Sequence, residues 1–457
     1  MDATETRIGE WRAAILRGRA VDETDADELE SHLRDQIADL EKSGLTGDEA
    51  FLVAVRRLGE VDRVTAEYAR EHSDRLWKQL AMPHADDEPR RPLLVMLGFA
   101  VLAAVLVQAA RLLATGEGVT APWFVRDLSL FVLPVLAAYF AVVRRMPWRR
   151  FLPLIVIVAL LAIAVNLFPF QADPDGVEMF GAGPGAATGV LVMIHLPVLL
   201  WFVVGAAYLG GEVATSARRM DFIRFTGEWA IYYALIALGG AVLIALTAAI
   251  LAPIAPGAID DLFNWVVPTG AAGAVIVAAW LVEAKKSIVE NLAPVLTAIF
   301  TPLFAAMLLV AAAVYAVSGI GRGFDRDLLT VFDVLLLVVL GLVVYGLSAR
   351  STGTKTGLMD VVRLVAVVAA VALDALVFAS MLARVAELGF TANRAAALGL
   401  NVILLVNLLV TAWLIVRLLA GRAQPSALER WQTSYLPVFA GWVCLVVLVL
   451  PPAFAFA

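Results

Sequence analysis

From Pro92 onward the chain is a succession of long apolar runs, each closed by a short polar break. A helix needs roughly 20 mostly apolar residues to cross a bilayer. Eleven runs meet or approach that length: 92–113, 128–143, 151–170, 188–209, 230–254, 266–284, 291–317, 328–348, 361–385, 396–418 and 437–457. Strands of a membrane barrel would be about 10 residues long and would alternate in polarity, which none of these does. The expected fold class is all-α: a polytopic helical membrane protein of eleven spans. The second run is short, and the seventh carries Pro294 and Pro302.

Composition agrees. The 457 residues are 61% hydrophobic and 17% charged, against roughly half and a quarter in soluble domains. The charge is uneven. Residues 1–91 hold 14 basic and 22 acidic side chains, a net of −8, whereas the remaining 366 hold 21 and 19, a net of +2. We therefore expect a soluble head at 1–82, a polar linker at 83–91 ("PHADDEPRR" from Pro83) and a membrane body at 92–457. The acidic start lacks the apolar core of a cleavable signal peptide. Cys444 is the only cysteine, which excludes an internal disulfide and a cysteine-built zinc site.

Basic residues orient the spans. With the head inside, fifteen Lys and Arg of the body fall in cytoplasmic breaks, among them Arg144, Arg145, Arg218, Arg219, Lys285 and Lys286. Six fall outside: Arg111, Arg126, Arg322, Arg326, Arg384 and Arg394. The N-terminus is thus expected in the cytoplasm and Ala457 on the far side. Between the last two spans, "QPSALERWQTSYLP" (424–437) reads as a short helix on the cytoplasmic face. The glycine-rich "GAGPGAATG" (181–189) lacks the Lys-Ser/Thr of a phosphate loop and reads as a flexible external loop.

The head reads as four short helices over residues 5–80. Leu29, Leu33, Ile37 and Leu40 share one helical face. Gly44 stands where a C-terminal cap belongs, and Thr46 with Glu49 forms a capping box for the next helix. His32 and His72 lie on solvated faces. "LESHLRD", "SGLTGDEAF" and "AVRRLGE" resemble the bacterial permease prefix domain, a cytoplasmic segment found ahead of assorted membrane proteins and often encoded beside small repressors. That resemblance covers about 75 residues and implies a cytoplasmic adaptor or regulatory role.

Several polar residues interrupt the apolar runs. Asp374 stands about 11 residues from either end of the ninth run, and Asn407 is similarly deep in the tenth. Asp333 and His195 stand nearer the outer side, and Asn401 follows the turn before the tenth run. Such residues are costly in the hydrocarbon and face protein or water. Two readings stand: hydrogen-bonding glue between helices, or a proton- or ion-handling site. In "RVAELGFTANRAAALGLN", Gly389 can end one helix and Thr391 can cap the next. Glu387 can pair with Arg384 or Arg394, and Arg384 is expected to turn inward to Asp333 or else to Glu387. Asn393 and Arg394 then hold the hairpin from its second helix. This stretch is similar to the signature of an uncharacterised family of multi-spanning bacterial membrane proteins, which implies a topology and no activity.

No nucleophilic triad, metalloprotease helix or nucleotide fingerprint is present. The expectation is a non-enzymatic permease or ion-coupled transporter in the bacterial inner membrane, without cofactor or metal. Its candidate polar site comprises Asp333, Asp374, Arg384, Glu387, Asn393, Arg394, Asn401, Asn407 and His195. The rival is a membrane sensor or scaffold whose head binds a cytoplasmic regulator. The expected partners are the lipid bilayer and a cytoplasmic protein at the head; no nucleic acid is expected to bind directly, and the chain is compatible with a homo-oligomer.

Overall fold

The computed structural model describes residues 8–9, 11, 23–42, 45–58, 90–116, 119–170, 177–179, 182–284, 292–318, 326–348 and 356–457. The chain divides into two compact units, Met1–Arg91 and Pro92–Ala457.

In the first unit, α1 (Glu23–Lys42) packs on α2 (Gly47–Leu58). Leu33, Ile37 and Leu40 recur at helical spacing on α1, so one stripe faces Ala50 and Ala54 of α2. Ile8 and Trp11 complete this small core. The Thr46 backbone N–H and hydroxyl both donate to Glu49 Oε2, at 3.1 and 2.8 Å. This restrains the start of α2 as a capping box does. The expected helices beyond Gly59, the cap at Gly44, His72 and most of the 83–91 linker lie outside the described residues. The side chains of Leu29 and His32 do as well.

Among the described residues the second unit is mainly helical. Its helices are α3 (Arg90–Ala114), α4 (Pro122–Val143), α5 (Trp148–Leu167), α6 (Ala187–Tyr208), α7 (Ser216–Leu251), α8 (Gly257–Ala284), α9 (Leu292–Ser318), α10 (Arg326–Ser348), α11 (Leu358–Leu388), α12 (Ala392–Leu419), α13 (Pro425–Leu448) and the short α14 (Leu450–Ala453). Among the described residues ten of these are long and apolar enough to cross a membrane, and Phe332–Ser348 of α10 adds a shorter apolar helix. Ten of the eleven apolar runs thus lie largely within one helix, whereas the last, 437–457, is split between the second half of α13 and the short α14. Exposed apolar side chains such as Leu160, Leu238, Leu243 and Ile250 face outward from these helices, as hydrocarbon-facing surfaces do. The protein is an all-α, multi-pass membrane protein.

Two cores organise the body. One joins α3 to α8 with Val443 and Val447 of α13. The other joins α9 to α12 with Met220 of α7 and Leu428 of α13. α7 and α13 therefore belong to both. Where α8 contains a π turn at Leu262–Val266, Gln108 of α3 donates to the carbonyls of Asn264 and Trp265 at 3.2 and 2.9 Å. A side chain thereby satisfies carbonyl groups beside an irregular turn within the bundle.

Three expectations are corrected. The second span is not short: Pro122 sits in the first turn of α4, where a missing N–H costs nothing, and the helix runs 22 residues. Residues 424–437 are not a separate surface helix. They form the first half of α13, which continues through Pro437, because Gln432 and Thr433 are buried against other helices and hold it inside. Finally, part of 181–189 is ordered as a ribbon, with β3 (Val177–Met179) paired antiparallel to β4 (Ala182–Gly185). It follows a shorter ribbon of β1 (Thr115–Gly116) and β2 (Val119–Thr120).

Candidate functional site

The starts of α6 and α12 and the end of α13 meet at one end of the body. Leu191, Ala392, Ala396 and Val446 pack together there, and the Thr188 N–H donates to the Ala457 carbonyl at 2.9 Å. From this end a cavity of about 910 Å³ runs down between α6, α10, α12 and α13, near the upper limit of ordinary ligand pockets. It is partly open. Its walls are mostly aliphatic and aromatic, including Leu337, Leu340 and Val344 of α10 and Leu436 and Phe439 of α13.

Five of the nine candidate residues lie on this one wall: His195, Asp333, Arg384, Asn393 and Arg394. The hairpin between α11 and α12 places three of them. Gly389 ends α11 at φ +79°, a conformation open to glycine without steric cost. The Thr391 hydroxyl accepts from the Arg394 N–H at 3.5 Å, capping α12. Arg394 Nη1 donates to the Gly389 carbonyl at 2.6 Å, so its guanidinium is fixed over the turn. Glu387 is exposed and is not part of the cavity wall.

Asp333 does not take Arg384 as its partner. Its Oδ1 accepts from Asn401 Nδ2 at 2.8 Å, and the same amide group donates to the Ala397 carbonyl at 3.0 Å and touches Met381 Sδ at 3.6 Å. A short amide one helix away reaches the carboxylate more directly than a long guanidinium. Arg384 is half-buried on the same wall, one turn beyond Met381.

Asp374 is fully buried on α11, and among the described residues neither carboxylate oxygen has a hydrogen-bond partner. It lies within electrostatic reach of Asp333. Among the described residues the Asn401 Oδ1 is also buried without a hydrogen-bond partner. An ionised carboxylate cannot persist in such a place uncompensated. As placed, Asp374 requires a proton or a cation to cancel its charge.

Asn407 and His195 make hydrogen bonds within the bundle. Asn407 forms a reciprocal amide pair with Gln432 at 3.2 Å in each direction, and Gln432 Nε2 also donates to Thr411 Oγ1 at 2.7 Å. This network joins α12 to α13. His195 donates from Nδ1 to the Leu191 carbonyl one turn back, at 2.9 Å, while its ring borders the cavity. Gln432 reaches the cavity too and was missed, because its segment was assigned to the membrane surface. Its sequence signal was a lone amide one turn before Leu436.

At the other end of α6, a smaller cleft of about 210 Å³ holds Arg144, Arg218, Arg224, Asp221 and Glu228. Its arginines reach partners beyond the cleft: Arg144 meets Glu283 at 3.0 Å, Arg218 meets Glu212 at 3.3 Å, and Arg224 donates to the Ser348 carbonyl at 2.5 Å. Among the described residues no group of three His, Cys, Asp or Glu is placed to hold a metal ion. No protein-family model matches this chain, nor does any curated protein or solved structure, so the geometry of the site is the guide to its function.

Proposed function

We propose that the membrane body is a permease of the ion-coupled kind, with the α6–α10–α12–α13 cavity as its substrate site. The observation that carries this is the adjacency of a large, partly open cavity to two acidic side chains at different depths. Asp333 stands in the cavity wall, while Asp374 is sealed behind it and must carry a proton or a cation. A change in the helix packing that opened Asp374 to the cavity would couple release of that cation to the occupancy of the site. Coupling of this sort needs two arrangements of the same helices, each favoured by a different ligation state. The protein moves its substrate and performs no chemistry on it.

We further propose a bacterial inner membrane, on the resemblance of the head to the permease prefix domain, with the head in the cytoplasm, on the distribution of basic residues. The head then serves as a regulatory module of the permease-prefix kind. A second reading has its own support: the first unit has a separate core, which suits a sensor whose head binds a cytoplasmic protein. Reconstitution separates the two. The permease reading expects gradient-driven uptake by proteoliposomes of the whole chain, whether or not residues 1–82 are present. Uptake absent under every imposed cation gradient, with a protein captured by the head, would favour the sensor.

A further inference from the structure

The cavity is polarised along its length. Its end beside the α11–α12 hairpin carries Thr391, Asn393, Arg394 and Arg384. Guanidinium, amide and hydroxyl donors are the set that recognises phosphate or carboxylate. Asp333 lies deeper, level with Asn401, roughly 15 Å along α12 from Thr391. Beyond the cationic end the wall is mostly aliphatic and aromatic, with His195, Asp333 and Gln432 as its polar members. Measured along α6 from Ala187 to Phe202, it extends on the order of 22 Å. The acyl region of one leaflet is about 15 Å thick, half the hydrocarbon core.

The opening has a chemistry as well. Ile194 and Val198 on α6, with Val334 and Leu337 on α10, belong to the cavity wall and are also exposed. These residues lie seven or more positions inside their helices, at hydrocarbon depth. We read this exposed aliphatic side of the cavity as its opening, which at that depth would face lipid tails rather than water.

We propose that the occupant is a membrane lipid with an acidic headgroup, its phosphate at Arg384 and Arg394 and one acyl chain along α10 and α13. It reaches the site sideways between α6 and α10. This deepens the permease reading by naming the substrate class, and it rests on that reading only for the step of transport. Binding stands separately.

The test uses the full-length protein in detergent, titrated with phosphatidylglycerol, with phosphatidylcholine of the same chains, and with inorganic phosphate. Phosphatidylglycerol is expected to raise the thermal midpoint and to remain bound, one per protein, in the intact-complex mass spectrum. The other two should not. Ile194→Trp, at an exposed position, should leave the lipid-free midpoint unchanged and weaken phosphatidylglycerol retention about tenfold or more. Arg384→Gln should erase the preference over phosphatidylcholine. Equal retention of both lipids, a shift produced by phosphate alone, or full retention by Ile194→Trp would each overturn the proposal. Retained phosphatidylglycerol with no gradient-driven movement of that lipid between the leaflets of proteoliposomes would uphold the binding site and remove the transport reading. Cation-driven uptake of another solute with no lipid preference would do the reverse.

Discussion

Asn401 on α12 donates from Nδ2 to Asp333 Oδ1 on α10 at 2.8 Å, joining two helices at the wall of the cavity. Removing the amide leaves a half-buried carboxylate without its partner. We expect Asn401→Leu to lower stability by about 1–2 kcal/mol, read as a fall in the thermal midpoint in detergent. Asp333→Asn added to the Asn401→Leu protein removes the stranded charge and should restore part of that loss. An unchanged midpoint for Asn401→Leu would show that the bond contributes nothing.

The membrane helices were legible because crossing a bilayer imposes a length, and that length is visible in any one segment. Asp333, Asn401 and Asp374 were legible for the same reason: each is a polar residue in an apolar run. The cavity was not. It draws walls from six helices, α6, α7 and α10 to α13, separated by up to some 250 residues of chain, and no local pattern records which faces meet. The Arg384–Asp333 pairing was the wrong choice among charged residues, since a neutral amide on a third helix was better placed. Gln432 was obscured by the polar first half of α13, which resembles a surface helix until its burial is seen.

Gly399 of α12 faces the Trp442 indole of α13, and a methyl group there would overlap the ring. Overpacking of this kind costs about 1–3 kcal/mol. Gly399→Ala should therefore destabilise the protein, and Trp442→Leu in the same chain should relieve it. Because Trp442 also lines the cavity, the single variant should weaken occupancy of the site. A Gly399→Ala protein with a wild-type midpoint would contradict this packing.

In the head, the Thr46 hydroxyl and N–H hold the Glu49 carboxyl below its ordinary value of 4.5. A carboxyl depressed in the folded state adds stability above its unfolded pKa, and that contribution is lost as pH falls through the folded pKa. Hydrogen-exchange protection at the start of α2, corrected for the intrinsic pH dependence of exchange, should therefore be full at neutral pH and fall below about 4.5. Glu49→Gln should flatten this dependence. The same acid response in Glu49→Gln would assign it to other groups.

The orientation rests on fifteen basic residues against six. In a Cys444→Ala background, Ala182→Cys on β4 should react with an impermeant thiol reagent in intact cells. Labelling that appears only after the membrane is opened would invert the topology.

The most direct measurement is gradient-driven uptake by proteoliposomes carrying Asp374→Asn, beside the wild-type chain. Asparagine keeps the shape of a buried group that has no partner among the described residues but cannot gain or lose a proton or hold a cation by charge. If Asp374 couples cation movement to the cavity, wild-type uptake should follow an imposed proton or sodium gradient. Asp374→Asn should then abolish that dependence while keeping a thermal midpoint at or above wild type. Uptake equally dependent on the gradient in Asp374→Asn would contradict the coupling role.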